Sequence, residues 1–596
     1  MNPRHTLLAV AIIVIVIVIV IVIVIVAPSA VGGQNPPPAG EVSTASIASA
    51  DAKDLLKALQ TANVATAQEK ITRRYHFGSQ GSVGTFSNHT SHSNRLIPFY
   101  TFGTKLDPGS VTGKNSVYRN ARGLKALYGF LPENTLNPEA DYCDQSDMAK
   151  VLSDAAKNGV KHLFIVWFDG LDWPTTQAAA VSKTGKIYTE GKGSGLIFQD
   201  YTANGSAKFG FYVTSPTYDK NVPDVNAQLV RIPAESLQGG YDPRIAGPNP
   251  WTPGPLTAKA PGYLKGQAGD THDMRGVASV NRVVHAYTDS SCSAGEFVTG
   301  KKSYNNGVNI TDNGEFIPTL FHTLQAKGWK VGTVTSVPFD HASPAAMYAH
   351  NVHRDDYQDL ARDMLGLRSI TQEDGKEPTH PGLDVVIGTG FGQIASEKGL
   401  ADDQGKNGVP GSLYVTDADK AAVDVKNGGE YVVVETKTGR NGGDALITAA
   451  GHAAREGHRL FGFFGSKTLN HLPYRTADGR FDPSVDLDGK ADVNTPADLI
   501  EQPTLATMTR AGLKVLARDP SRKFLYFIEA GDVDFALHKN NLDNAVGAVY
   551  SGEDAIKAVI DWVEANSNWD DSAMIVAADH GHYLVIDDLK AIAGVK

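Results

Sequence analysis

Lys161–Gly170 reads KHLFIVWFDG, an uninterrupted apolar run that stops at Asp169 and Gly170 and leads into a helical stretch. A strand apolar on both sides is one covered on both sides, as in a parallel sheet packed between helices. The arrangement recurs three times. Trp329–Val337 (WKVGTVTSV) leads to His341 and Ser343, Lys523–Ile528 (KFLYFI) to Glu529 and Asp534, and Ser572–Ala577 (SAMIVA) to Asp579 and His580. The expected fold is therefore α/β, a three-layer sandwich with a central mainly parallel sheet, helices on both faces and loop-rich insertions. Open α/β sheets bind ligands beyond the carboxyl ends of their strands, and each of these polar groups falls there.

Around that core the composition changes. Residues 188–275 are rich in Gly, Pro, Thr and aromatic residues (GGYDPRIAGPNPWTPGPLTAKAPGYLKG), and residues 371–383 and 399–429 are similarly loop-like, so they read as insertions over a common core. Residues 51–160 read as an N-terminal extension that begins with an amphipathic helix carrying Leu55, Leu56, Leu59 and Val64. The extension contains His76, His89 and His92 without carboxylate or cysteine partners at ligand spacing, which favours surface or hydrogen-bonded histidines.

Ahead of the extension, Arg4 and His5 precede an apolar run from Leu7 to Ala27 dominated by alternating Ile and Val. Its length approaches the roughly 20 residues that span a bilayer and exceeds the about 7–15 of a signal h-region. Residues 1–30 are thus expected to be a signal peptide or membrane anchor and residues 31–50, rich in Gly, Pro, Ser and Ala, a flexible linker. Export to the periplasm or cell exterior follows, with membrane insertion at the N-terminus.

The 596-residue chain is 41% hydrophobic and carries a net charge of −10 without Lys/Arg blocks, so it can bury a large core and offers no basic footprint for nucleic acid. Its two cysteines, Cys143 and Cys292, form neither a disulfide framework nor a CxxC pair. A small-molecule substrate fits this balance.

Thr288, Asp289 and Ser290 open a run of small residues, TDSSCSAGEFVTG, in which the serine has no histidine base beside it. Such a nucleophile needs another activator, and a metal ion on its oxygen is one. Asp534 and His538 stand four apart and share a face if helical. With Glu529 just before them and Asp579 and His580 downstream, the donors are carboxylates and imidazoles, which suit zinc, while an all-oxygen set suits magnesium. If a helix starts after Ser290, its first amides favour a phosphoryl group.

FDG at Asp169, TDSSCSAGEFVTGKKSYNNGVNI from Thr288, FDHASPAAMYAHNVHRDDY from Phe339, EAGDVDFALH from Glu529 and AADHGH from Ala577 together resemble the alkaline phosphatase family, across the core from about Lys161 onward. The resemblance implies an alkaline phosphatase-like catalytic domain over residues 161–596. Its substrate would be a phosphate monoester, its product inorganic phosphate, and a homodimer its default assembly. Ser290 matches the phosphorylated nucleophile, Arg354 the arginine that clamps phosphate and Asp289 the residue that orients it. Asp169, Asp579 and His580 match one zinc site, completed by Ser290. Asp534 and His538 match part of the second zinc site. Glu529, Ser343 and the shared Asp169 match the magnesium site, with His341 at a neighbouring position where an imidazole would let zinc replace magnesium.

One implied ligand is missing. The family's second zinc takes a histidine well downstream of the Asp579–His580 pair, whereas fourteen residues follow His582 and none is histidine. His582 matches a family position that is not this ligand. A C-terminally truncated domain with an incomplete second zinc site and an exposed sheet edge is therefore expected. The alternatives to a monoesterase are a phosphodiesterase of the same superfamily and a non-catalytic phosphate-binding protein.

Overall fold

Ten strands build one sheet: β1 (Ile97–Phe102), β2 (Cys143–Asp144), β3 (His162–Phe168), β4 (Lys208–Val213), β5 (Lys330–Pro338), β6 (Val385–Thr389), β7 (Tyr431–Glu435), β8 (Arg459–Phe463), β9 (Phe524–Ala530) and β10 (Ser572–Ala577). The computed structural model describes residues 54–67, 74–77, 96–234, 236, 238–241, 288–373, 380–396 and 404–594. The expected anchor and linker and residues 242–275 of the insertion lie outside the described residues, as do His89 and His92.

The strand order is β7-β8-β6-β5-β9-β3-β10-β1-β4-β2. From β7 to β10 every neighbouring pair is parallel, and β1 alone runs against the rest. The four strands singled out in the sequence, β5, β9, β3 and β10, are consecutive in the sheet, so their carboxyl ends lie side by side. Val166 of β3 pairs with Ile528 of β9 on one side and with Val576 of β10 on the other.

The helices around the sheet include α1 (Asp147–Lys157), α2 (Trp173–Thr184), α3 (Ser290–Thr299), α4 (Leu320–Gln325), α5 (Ala342–Ala346), α6 (Asp532–His538) and α7 (Leu542–Asn566). Both faces of the sheet are covered. Successive side chains on a strand point to opposite faces, and on β3 the Trp167 ring meets Phe297 of α3 with centroids 4.8 Å apart. Phe168, the next residue, lies over Gly552 of α7, where an added Cβ would come within 2.1 Å of Cε1. Such strands are fully buried, which is why they read as unbroken apolar runs.

One expectation changes. Ser572–Ala577 does not present a bare edge, because β1 pairs antiparallel along it through Met574–Phe102 and Val576–Tyr100. The sheet therefore recruits strands from the segment read as an extension (β1, β2) and from the start of the insertion (β4). These strands are short or aromatic-rich and lie far from the βα repeat in sequence, so their pattern alone does not join them to it. Of the two settings expected for the extension's histidines, His76 does not take the surface: it is fully buried, with Asp587 3.6 Å from Nε2. Cys143 and Cys292 are both buried free thiols.

Candidate active site

Asp289 is the N-cap of α3 in extended geometry, and its side chain accepts from the amides of Ser291 and Cys292. The cap satisfies orphan helix donors and leaves Ser290 as the first helical residue. Ser290 Oγ lies 3.1 Å from His580 Nε2 and donates to Asp169 Oδ1 over 3.4 Å. The serine comes from one face of the sheet, while its two neighbours come from the ends of β3 and β10.

Asp579 is held from behind. Its Oδ1 accepts from the amides of Gly170 at 2.8 Å and His580 at 3.0 Å, while Oδ2 lies 3.2 Å from His580 Nε2. Asp169, Asp579 and His580 form a fully buried group whose donor atoms lie within 4.8 Å of one another. Asp169 Oδ2, Asp579 Oδ2 and Glu529 Oε1 are buried without a hydrogen-bond partner among the described residues. A carboxylate oxygen buried without a donor is costly unless a cation or a proton meets it.

The protonation shifts express that cost. Burial first, and then the charges of Asp534, Asp579 and Glu529, push Asp169 well above the usual carboxylate range. Burial likewise raises Glu529 to about 8, against a hydrogen bond from Thr335, and Asp579 to about 6. Asp534 goes the other way: burial alone would raise it, but His538 and His582 beside it bring it down. Burial holds His580 far below the ordinary imidazole value, so it is neutral and can offer a lone pair.

The second histidine group centres on Asp534, whose Oδ1 lies 3.3 Å from His538 Nε2 and 2.7 Å from His582 Nε2. One turn of α6 accounts for the first contact, as the four-residue spacing indicates. The second joins two strand ends and was missed in the sequence. A carboxylate only accepts, so the ring proton of His582 sits on Nε2 and is donated to Asp534. The clue was Gly170. Its φ is +76°, and a Cβ there would approach His582 Nε2 to 2.6 Å, so this glycine makes room for a histidine.

Arg354 completes the rim. Its Nη1 donates to Asp289 Oδ2 at 2.8 Å, and Nη2 lies 3.3 Å from His341 Nε2. Burial and Arg354 keep His341 neutral, with its pKa near 3. Ser343, on α5, is fully buried, and Thr335 of β5 donates to Glu529 Oε2 at 2.5 Å. Asp169, His341, Ser343, Glu529, Asp534, His538, Asp579 and His580 thus follow the carboxyl ends of β3, β5, β9 and β10, Asp289 and Ser290 stand at the start of α3, and Arg354 is tied to Asp289.

A family model described as alkaline phosphatase matches residues 265–592, more than half of the chain. The chain belongs to the alkaline phosphatase family. Among curated relatives of this alkaline phosphatase family member, streptomycin-6-phosphate phosphatase of Streptomyces griseus is 26% identical over 307 residues, 50% of this chain and 61% of that protein. Alkaline phosphatase of Escherichia coli K12 is 26% identical over 315 residues, 51% of this chain and 60% of that protein. Alkaline phosphatase 4 of Bacillus subtilis is 24% identical over 293 residues, covering 49% of each. The chain thus spans about half to three-fifths of the length of these relatives. Among solved structures, cold-active alkaline phosphatase from a psychrophilic Shewanella aligns with a TM-score of 0.39 at 17% identity, over 71% of this chain and 68% of that one.

Proposed function

We propose that this alkaline phosphatase family member hydrolyses phosphate monoesters through a phosphoserine at Ser290. The observation that carries the reading is the buried Ser290 Oγ, set at the start of α3 between His580 Nε2 and Asp169 Oδ1, with Arg354 tied to the preceding residue.

Zinc and magnesium fit the residues present, since three buried carboxylate oxygens lack donors and two neutral or carboxylate-bound histidines stand beside them. Asp169, Asp579, His580 and Ser290 would hold one zinc, Asp534 and His538 would contribute to a second, and Asp169, Ser343 and Glu529 would hold magnesium near His341. When bound, such ions lower the pKa of the serine hydroxyl and neutralise charge on the phosphoryl and leaving oxygens.

The chain's own groups do the remaining work. Arg354 presents its guanidinium to two phosphoryl oxygens, and Asp289 fixes the orientation of that fork. Ser290 Oγ attacks phosphorus in line, the new Oγ–P bond forms as the ester P–O bond breaks, and the leaving oxygen takes up a proton. Water then attacks the phosphoserine, releasing inorganic phosphate and returning the hydroxyl of Ser290. The first amides of α3 favour the phosphoryl group at this serine. His582, by donating to Asp534, holds that carboxylate in one orientation.

Export is part of the same reading, supported by the apolar run of residues 7–27, and a homodimer is its expected assembly. No helix among the described residues is long and apolar enough to cross a membrane. Acid quench during turnover of an aryl phosphate, followed by peptide mass spectrometry, is expected to show phosphate on Ser290 only. Turnover of the Ser290→Ala variant at the wild-type rate sinks the proposal. Comparing an aryl monoester with its diester distinguishes the phosphodiesterase alternative.

A further inference from the structure

A second cluster of imidazoles lies away from this centre. His322 of α4, His350 after α5 and His380 ahead of β6 bring one ring nitrogen each to within 4.8 Å of the others. The rings of His322 and His380 stack with centroids 3.9 Å apart, and those of His322 and His350 at 5.2 Å. His322 and His350 are buried, and His380 is half-buried on the wall of a cavity of about 460 Å³. Tyr431 and Arg459, the first residues of β7 and β8, line the same cavity. The cluster therefore belongs to the amino ends of the strands, at the opposite edge of the sheet from Ser290.

We propose that His322, His350 and His380 bind one zinc ion as a structural site separate from the reaction centre. Hydrogen bonding prepares one of the three donors. His350 Nε2 lies 2.8 Å from the carbonyl oxygen of Ile317. A carbonyl only accepts, so the ring proton is on Nε2 and the lone pair on Nδ1, the arrangement that fixes histidine ligands. His322 Nε2 is buried without a hydrogen-bond partner among the described residues. In the metal-free ring Nδ1 accepts from the Thr319 amide at 3.3 Å, so the proton is on Nε2; zinc on Nε2 displaces that proton and turns Nδ1 into a donor, for which the Thr319 hydroxyl oxygen stands 3.3 Å away. That hydroxyl donates onward to the Met347 carbonyl at 2.8 Å, so its lone pairs can accept.

The chemistry selects the ion. Three imidazoles are borderline-soft donors that suit zinc and its first-row neighbours and not magnesium or calcium. Burial and the two neighbouring imidazoles hold His322 well below its ordinary pKa, consistent with a neutral ring. Bonds of about 2.0–2.1 Å to a tetrahedral zinc put ligand nitrogens about 3.4 Å apart, so modest ring rotations close the site. The cavity beside His380 supplies an entry path and room for water. Zinc here would tie α4 and the lead-in to β6 to the segment that carries both His350 and Arg354.

The test uses the full chain equilibrated with zinc and with magnesium, as wild type, His322→Gln and His380→Gln. Wild type is expected to retain about one equivalent of zinc more than either variant, with aryl phosphate turnover within about twofold of wild type across the three. Substitution of copper(II) is expected to give nitrogen superhyperfine structure that weakens in His380→Gln. Equal zinc content in wild type and His380→Gln overturns the proposal, as does loss of the site's zinc to magnesium at equal concentration. Should His322→Gln fail to fold, the half-buried His380 variant and zinc-edge anomalous scattering from wild-type crystals decide, and no peak between the three rings overturns it.

Discussion

Asp289 uses a single carboxylate to cap α3 and to accept from Arg354 Nη1 at 2.8 Å, so the arginine is built onto the same helix end that presents Ser290. Burial would raise this carboxyl, but the Arg354 charge and three hydrogen bonds hold it below its usual value. Breaking the pair is expected to do more than remove a surface contact. Arg354→Lys keeps a charge but loses the fork, and should reduce kcat/KM by roughly 10²-fold, or about 3 kcal/mol, with weaker inhibition by inorganic phosphate. Steady-state kinetics with phosphate as competitor checks this.

Gly170→Ala tests the space that His582 occupies. The added Cβ would lie 2.6 Å from His582 Nε2 in a left-handed backbone conformation. A stability loss of about 1–3 kcal/mol is expected, together with lower turnover as His582 is pushed off Asp534. Urea denaturation beside kinetics reads both; a variant with wild-type values in each argues against the packing described.

Gly552→Ala separates fold from site. The new methyl would meet the Phe168 ring at 2.1 Å on the face of the sheet away from Ser290. The expected result is a lower Tm, equivalent to about 1–3 kcal/mol, with the folded fraction still active.

Removing metal by chelation is expected to lower both turnover and Tm, because Asp169, Asp579 and Glu529 would face one another without a cation. Zinc with magnesium should restore both, and magnesium alone should not restore turnover. Calorimetry before and after chelation measures the stability part independently of activity.

Asp147, at the start of α1, offers a pH prediction outside the active site. Burial and the neighbouring Asp144 raise it to about 7. A raised acid contributes stability that is complete below its unfolded pKa near 4 and is lost as pH rises through about 7. Asp147→Asn keeps an acceptor for the Asp144 amide, 3.1 Å away, but cannot ionise. The variant should match wild type near pH 4 and exceed it by roughly 2–4 kcal/mol at pH 8. Denaturation curves across that range decide it.

The parallel core was legible because strands covered on both faces must be apolar throughout, as HLFIVWF, KFLYFI and SAMIVA are. The residues just past them were legible for the same reason, since an acid that ends such a run has only the sheet's carboxyl edge to occupy. The four-residue spacing of Asp534 and His538 carried its own geometry. Ser290 and Arg354 were placed by motif, and neither their contact through Asp289 nor the room that Gly170 leaves for His582 can be read along the chain.

What the sequence determined by itself was therefore the periodic part: the βα repeat, its buried strands and the set of carboxylates and imidazoles gathered at their ends. The tertiary structure alone decided that β1 closes along β10, that His582 reaches Asp534 across 48 positions, and that His322, His350 and His380 bring their ring nitrogens within 4.8 Å of one another. Periodicity reports which face of an element is buried. Strand order and loop closure choose the neighbour on that face, and those depend on contacts far apart in sequence.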